Sequence, residues 1–187
     1  QIGHPVLRMP ASPIPADDIA SQDVQRLIDD MIETMRDAQG AGIAAPQVFE
    51  SVQICVLEVK NNARYPYKPP IPLTVLINPE LTPLSEEQFE NYEGCLSVPN
   101  LRGIVRRSAQ VHLSALDRLG QRVEGDYFGF TAGTLQHEID HLRGTLFVDR
   151  VDDPTSLTTW TEFDRFHRDP FLAKADVIKR KYHGPSS

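Results

Sequence analysis

Gln136-His137-Glu138-Ile139-Asp140-His141 decides how this 187-residue chain is read. Its two histidines stand four residues apart, about 40° around a helix that turns about 100° per residue, so they can grip one ion from one face. Glu138 flanks that face and reaches a water beside the ion rather than the ion itself, the place of a general base next to a Lewis acid. Surface histidines on a solvated helix would give the same five-residue pattern. The flanks argue for a more rigid support: the apolar, glycine-bearing stretch from Tyr127 to Leu135 leads into the helix, and Gly144 beyond Leu142 supplies a stop. Catalytic sites of this kind use three protein ligands. Cys95, inside Glu93-Gly94-Cys95-Leu96-Ser97, is the candidate for the third.

Outward from that helix the chain reads as α+β, mainly antiparallel strands around the helix that carries the site. Ser21 can cap a helix whose apolar stripe is Val24, Leu27, Ile28, Met31, Ile32 and Met35, with Gly40 ending it. Extended segments are expected at 52–59, 73–78, 84–92, 104–107, 109–117 and 121–128, with a turn at Asp117-Arg118-Leu119-Gly120. Between the first two, Asn61 to Pro72 holds Pro66, Pro69, Pro70 and Pro72 and reads as an irregular surface loop. Helical patterns recur at 156–167 and 171–182, and no internal repeat is visible. One catalytic domain over 1–187 is expected, with a core at about 2–150 and a helical tail at about 154–187.

The two cysteines read differently. Cys55 lies in the β-branched run Val52-Gln53-Ile54-Cys55-Val56-Leu57-Glu58-Val59 and is expected to fill a core, whereas Cys95 follows a glycine in a polar setting. No disulfide is implied, which fits a reducing compartment. His4, His112, His167 and His183 have no ligand-spaced partner. Asp140, inside the motif, either steadies an imidazole or forms a salt bridge.

Three blocks in this order, Gly40-Ala41-Gly42-Ile43-Ala44-Ala45-Pro46-Gln47, then Glu93 to Ser97, then Gln136 to His141, resemble the signature motifs of peptide deformylases. The likeness runs from about Ile2, in Gly3-His4-Pro5-Val6-Leu7-Arg8, to about Asp149. That family removes the formyl group from the N-terminal formyl-methionine of newly made polypeptides. The resemblance implies Cys95, His137 and His141 as metal ligands and Glu138 as the acid/base residue. It implies Gln47 and the Leu96 backbone N–H as donors to the formyl oxygen. It also implies that Arg107 pairs with Glu93 and that Arg102 lies near the peptide-binding cleft, with a solvated basic stretch as the other reading of Arg102. One divalent ion is expected: Fe²⁺ physiologically, with Zn²⁺, Ni²⁺ or Co²⁺ compatible with the same donors.

Gly42 is a candidate substrate contact, because glycine lets another strand approach closely; a plain turn after the helix is the other reading. A phosphate loop does not fit, since Pro46 stands where a helix should open and no Lys-Ser/Thr ending follows. Gly133 lies one turn before the metal face, where relatives often carry a larger side chain, and is expected to enlarge or reshape the pocket for the substrate's methionine side chain. A zinc endopeptidase shares His-Glu-x-x-His but usually takes its third ligand downstream, where this chain offers Asp149, Asp152 and Glu162. A noncatalytic module is disfavoured by the presence of both Glu138 and Gln47.

The composition, 40% hydrophobic and 24% charged, suits a core of useful size, and a net charge of −7 argues against a nucleic-acid surface. Lys174, Lys179, Arg180 and Lys181 concentrate positive charge near the end, fitting either a solvated helix face or a transient ribosome contact. No membrane-spanning run or secretory leader is visible, and a monomer is expected. The absence of an initiating methionine leaves bacterial cytoplasm open beside an organelle matrix or stroma reached through a removed transit segment.

Overall fold

The computed structural model describes residues 1–60 and 64–183, the side chain of residue 183 excepted. Its secondary structure begins with two short 3₁₀ turns and α1, Gln22–Asp37. The Ser21 hydroxyl accepts from the Val24 amide at 3.4 Å, so the expected cap is in place. The helix stops by Asp37; Gln39 takes a left-handed φ of 53°, and the Gly40 amide donates back to the Met35 carbonyl at 2.9 Å.

Five antiparallel strands form the larger sheet in the order β1 (Gly42–Ala44), β2 (Ile54–Val59), β3 (Ile71–Pro83), β6 (Gln110–Leu116), β7 (Arg122–Phe128). A smaller sheet pairs β4 (Gln88–Cys95), β5 (Val98–Ser108) and β8 (Thr158–Thr159). Strand β2 is buried at every position because its two faces pack on different helices. Ile54 and Val56 join Ile28, Met31 and Met35 of α1, whereas Cys55 and Leu57 face Leu135 and Ile139 of α2 (Gly129–Leu142). Period-2 alternation divides one apolar run between two cores. Each such fully buried Ile, Leu or Met contributes roughly 1.5–3 kcal/mol.

Helix α2 lies between the sheets, with neighbours on the larger one, on β5 and on the C-terminal helix. Gly144 has φ +71°, and a Cβ there would stand 2.7 Å from the Arg8 carbonyl, so only glycine both ends the helix and lets the amino-terminal segment pass. After β8, α3 (Trp160–Glu162) runs through a π-helical stretch, Phe163–His167, into α4 (Arg168–His183). Phe163, Phe171 and Ala175 pack into the same core as α2. The tail is therefore built onto the sheet rather than trailing from it.

Several expected boundaries shift. The segment expected at 104–107 belongs to a strand that starts at Val98, because β4 and β5 form one hairpin closed by Leu96 and Ser97. Strand β1, read as a loop or turn, pairs with β2 from Gly42↔Leu57 to Ala44↔Cys55. Within the proline-rich loop, residues 61–63 lie outside those described, and β3 already begins at Ile71. The turn at Asp117 to Gly120 forms as expected, its Asp117 carboxylate accepting from the Leu119 and Gln121 amides at 2.8 Å.

Candidate metal centre

Two elements meet at the centre. The β4–β5 hairpin offers Cys95 as the last residue before its turn, and α2 offers His137 and His141 from one face. Their ligand atoms lie within 4.8 Å of one another, with Cys95 Sγ 3.3 Å from His141 Nε2. Among the described residues no other such group forms, and two of the three downstream acids face arginines: Asp149 pairs with Arg8, and Asp152 lies 3.9 Å from Arg106.

His137 is held from behind. Its Nδ1 lies 2.8 Å from Glu93 Oε2, which turns Nε2 toward the thiol. Glu93 is in turn clasped by Arg107, whose Nε and Nη2 each donate at 2.8 Å. Arg107 Nη1 donates to Asp140 at 2.6 Å, and Arg150 closes the row on Asp140 with Nη2 at 2.6 Å from Oδ1. The row Arg150–Asp140–Arg107–Glu93–His137 thus answers what Asp140 does: it is a salt bridge that also steadies the imidazole. Burial opposes ionisation of Glu93, but Arg107 and His137 more than offset it, so its carboxyl stays well below the usual carboxylate range. Burial likewise opposes charge on His137, yet Cys95 and Glu93 draw it up to about 10. His141, also desolvated and facing His137, is pushed well down and stays neutral, with Nδ1 unpartnered.

A thiol and two imidazole nitrogens at this spacing suit a borderline-soft divalent ion, and the cavity beside them leaves one side for water or substrate. Gln47, Gly42, Leu96, Gly133 and Glu138 all line that cavity with Cys95 and His137. Gln47 is fixed at both ends: Oε1 accepts from the Ala44 amide at 2.8 Å, while Nε2 donates to Ser97 Oγ at 3.1 Å and faces Cys95 Sγ at 3.5 Å. Glu138 is 5% exposed with Oε2 unpartnered, and burial raises its carboxyl above the usual range. A Cβ at Gly42 would lie 2.6 Å from Glu138 Cδ, so glycine at this position first of all makes room for the base.

Arg102 and Gly133 are set by the rings around them. Arg102 is 1% exposed and does not line the cavity; Trp160 and Phe163 cover its guanidinium at 4.3 and 4.0 Å. It donates to the Tyr92 carbonyl at 2.7 Å and the Tyr67 hydroxyl at 3.3 Å, acting on the cavity wall from behind. It stands near the cleft, behind its wall, and not in a solvated stretch. Gly133 does line the cavity, and a Cβ there would stand 3.0 Å from Phe89 Cζ, so that ring shapes the wall beside it. The Phe89 ring fills the space that the missing side chain leaves. Cys55 is core as expected: fully buried, with Sγ donating to the Glu138 carbonyl at 3.4 Å and burial driving its thiol pKa up.

Tyr65, Tyr67, Lys68, Asn91 and Thr134 also line the cavity, and none was expected from the sequence. The first three come from the proline-rich loop; two tyrosines and a lysine between prolines were a weak signal that this loop carries function.

Comparison with known proteins agrees with this geometry. The family described as Polypeptide deformylase matches residues 1–156. Peptide deformylase 1 of Bordetella pertussis is 44% identical over 155 residues, covering 83% of this chain and 87% of the relative. Among solved structures, the Met-Ala-Ser-bound class I type b peptide deformylase of Acinetobacter baumannii superposes with a TM-score of 0.78 at 40% identity, covering 81% of this chain and 95% of that one. The peptide deformylase of Thermotoga maritima gives 0.71 at 35% identity, with coverage of 81% and 95%.

Proposed function

The chain belongs to the peptide deformylase family, so its activity is metal-dependent hydrolysis of the N-formyl group of formyl-methionyl polypeptides, and we propose that Cys95, His137 and His141 hold the ion while Glu138 moves the proton. The observation that carries this is the meeting of three soft-to-borderline donors with a buried carboxyl whose Oε2 has no other partner. When bound, the divalent ion supplies a Lewis acid that acidifies water and polarises a carbonyl.

The chain's own residues do the rest. Glu138, its pKa raised by burial, accepts the proton that water gives up as its oxygen joins the formyl carbon, and delivers it to the departing amine. The carbon–nitrogen bond breaks, and formate and a free amino terminus leave. Gln47 Nε2 and the Leu96 amide donate to the formyl oxygen as charge develops there; anchoring of Gln47 Oε1 on the Ala44 amide means that little reorganisation accompanies the step. Gly42 supports close approach of the substrate backbone beside Glu138. Gly133, backed by Phe89, shapes the wall beyond it, and Arg102 positions that wall through Tyr67.

Fe²⁺ is the proposed physiological ion, with Zn²⁺, Ni²⁺ and Co²⁺ able to replace it. The full 187 residues are proposed to act as one monomeric catalytic domain in a bacterial-type cytoplasm, with an organelle matrix or stroma as the alternative. No described helix is long and apolar enough to cross a membrane. A transient ribosome contact through α4 is limited by pairing of its basic groups: Lys174, Arg180 and Lys181 face Glu90, Asp176 and Glu87.

Incubating anaerobically prepared protein with formyl-Met-Ala-Ser, and counting formate against cleavage of internal peptide bonds, tests the function. Stoichiometric formate with intact Met-Ala-Ser is expected; internal cleavage without formate would make it a peptidase.

A further inference from the structure

The family match ends at residue 156, and the residues just beyond it return to the site. Thr158 and Thr159 pair with Arg102 and Leu101 as a third strand on the hairpin that carries Cys95. This delivers the half-buried Trp160 to the outside of the cavity wall. A Cβ at Gly94 would lie 3.6 Å from Trp160 Cζ2, so the indole covers the backbone one residue before Cys95. The same ring meets the Tyr65 ring edge-on, with centroids 6.3 Å apart, and the guanidinium carbons of Arg102 and Arg64 stand 4.3 and 5.0 Å from its centre.

These contacts matter because of what they hold. Tyr65, Tyr67 and Lys68 reach the cavity from the proline-rich loop, which has no helix or strand of its own at 64–70 and is fixed by its side chains instead. Arg64 donates to the Ala38 carbonyl at 3.2 Å, and Lys68 donates to Thr134 Oγ1 at 2.9 Å. Trp160 is the anchor on the remaining side. Tyr67 lines both the metal cavity and a second cavity of about 230 Å³ behind it, where Trp160, Arg102 and Phe163 form other walls. Without the indole, Tyr65 and Tyr67 have room to retreat from the site.

We propose that Trp160 is a positioning residue for the pocket that receives formyl-methionine: it holds Tyr65 directly, and Tyr67 through Arg102, against the cavity and so sets the pocket's width. The proposal rests on the deformylase reading and adds to it a residue outside the family match. Edge contacts between rings and contacts of a guanidinium with a ring are each modest, but here they converge on one indole. Trp160 does not line the metal cavity, so it acts on no reacting atom. Its loss weakens the ground state and the transition state alike, which raises KM and spares kcat. Apolar pockets discriminate by how well they are filled, so a wider one favours larger side chains.

The test is formate release from formyl-Met-Ala-Ser and formyl-Phe-Ala-Ser by the metal-loaded full chain and by its Trp160→Ala and Trp160→Phe variants. With formyl-Met-Ala-Ser, Trp160→Ala should raise KM about tenfold with kcat within about twofold of wild type and metal content unchanged, and Trp160→Phe should recover most of the loss. The lead of formyl-Met over formyl-Phe in kcat/KM should shrink about tenfold in Trp160→Ala. Trp160 is the one tryptophan of the chain, so its emission reads the same coupling in the unmodified protein. Titration with the product Met-Ala-Ser should change that emission saturably, with a midpoint equal to the product's inhibition constant, and this readout stands even if Trp160→Ala fails to fold. Unchanged KM and preference in Trp160→Ala, a fall in kcat with KM unmoved, or an emission indifferent to Met-Ala-Ser overturns the role of Trp160 and leaves the deformylase reading intact. No formate from the wild type with either peptide overturns both.

Discussion

The two ends of one cavity treat charge in opposite ways. Behind His137, positive and negative groups alternate through Arg150, Asp140, Arg107 and Glu93, and the three inner groups are each 5% exposed or less. At the other end Lys68 has a hydroxyl and a ring as its neighbours, with no carboxylate in contact with it among the described residues. Buried ions are costly unless paired. The first end has its pairing built in and is preorganised before any ligand arrives, which a ligand-holding imidazole requires. The second meets its ammonium with a hydroxyl and an aromatic face instead.

Breaking the paired end should have the largest effect. Arg107→Met takes both guanidinium hydrogen bonds from buried Glu93 and leaves Asp140 to Arg150 alone, and chemical denaturation should show a loss of about 3–5 kcal/mol. A loss under about 1 kcal/mol would mean that Glu93 and Asp140 find other partners. Glu93→Gln keeps the shape but weakens the hold on His137; metal affinity measured by chelator competition should fall about 10–100-fold while the fold persists. Unchanged affinity would remove Glu93 from the centre's support.

A gentler perturbation is acid. Glu93 has its folded pKa depressed below the unfolded value of about 4.3, so the stability it contributes is fully present above that value and is lost as pH falls through the folded one. Urea midpoints should therefore hold down to about pH 5 and decline below about pH 4. Arg107→Met should show less of that decline, since Arg107 is a main cause of the depression. An equal acid slope in both proteins would assign the titration to other carboxyls.

What the sequence disclosed follows the same division. His137, Glu138 and His141 were legible because helix geometry fixes their relation within five residues, and α2 needed no distant information to present them. The motif resemblance added Cys95 and Gln47. The Lys68 wall was not legible: it forms only when the 64–70 segment folds over α2 and β4, which no local period encodes. Proline density marked that segment as irregular but not as inward-facing. Gly133 was half legible for a related reason, since an absent side chain marks space along the helix but not which ring, here Phe89 of β4, lies beside it. Arg102 read as accessible because its cover, Trp160 and Phe163, lies some sixty residues further along the chain.

The account depends above all on a division of labour in which Cys95 holds the ion and Glu138 moves the proton. Cys95→Ala and Glu138→Ala, purified anaerobically beside the wild type, allow metal content and formate release to be measured on the same samples. Glu138→Ala should retain its ion and lose about 10²–10⁴-fold in turnover, while Cys95→Ala should lose both ion and turnover. Near-wild-type formate release by Glu138→Ala, or a full metal complement in Cys95→Ala, would contradict it.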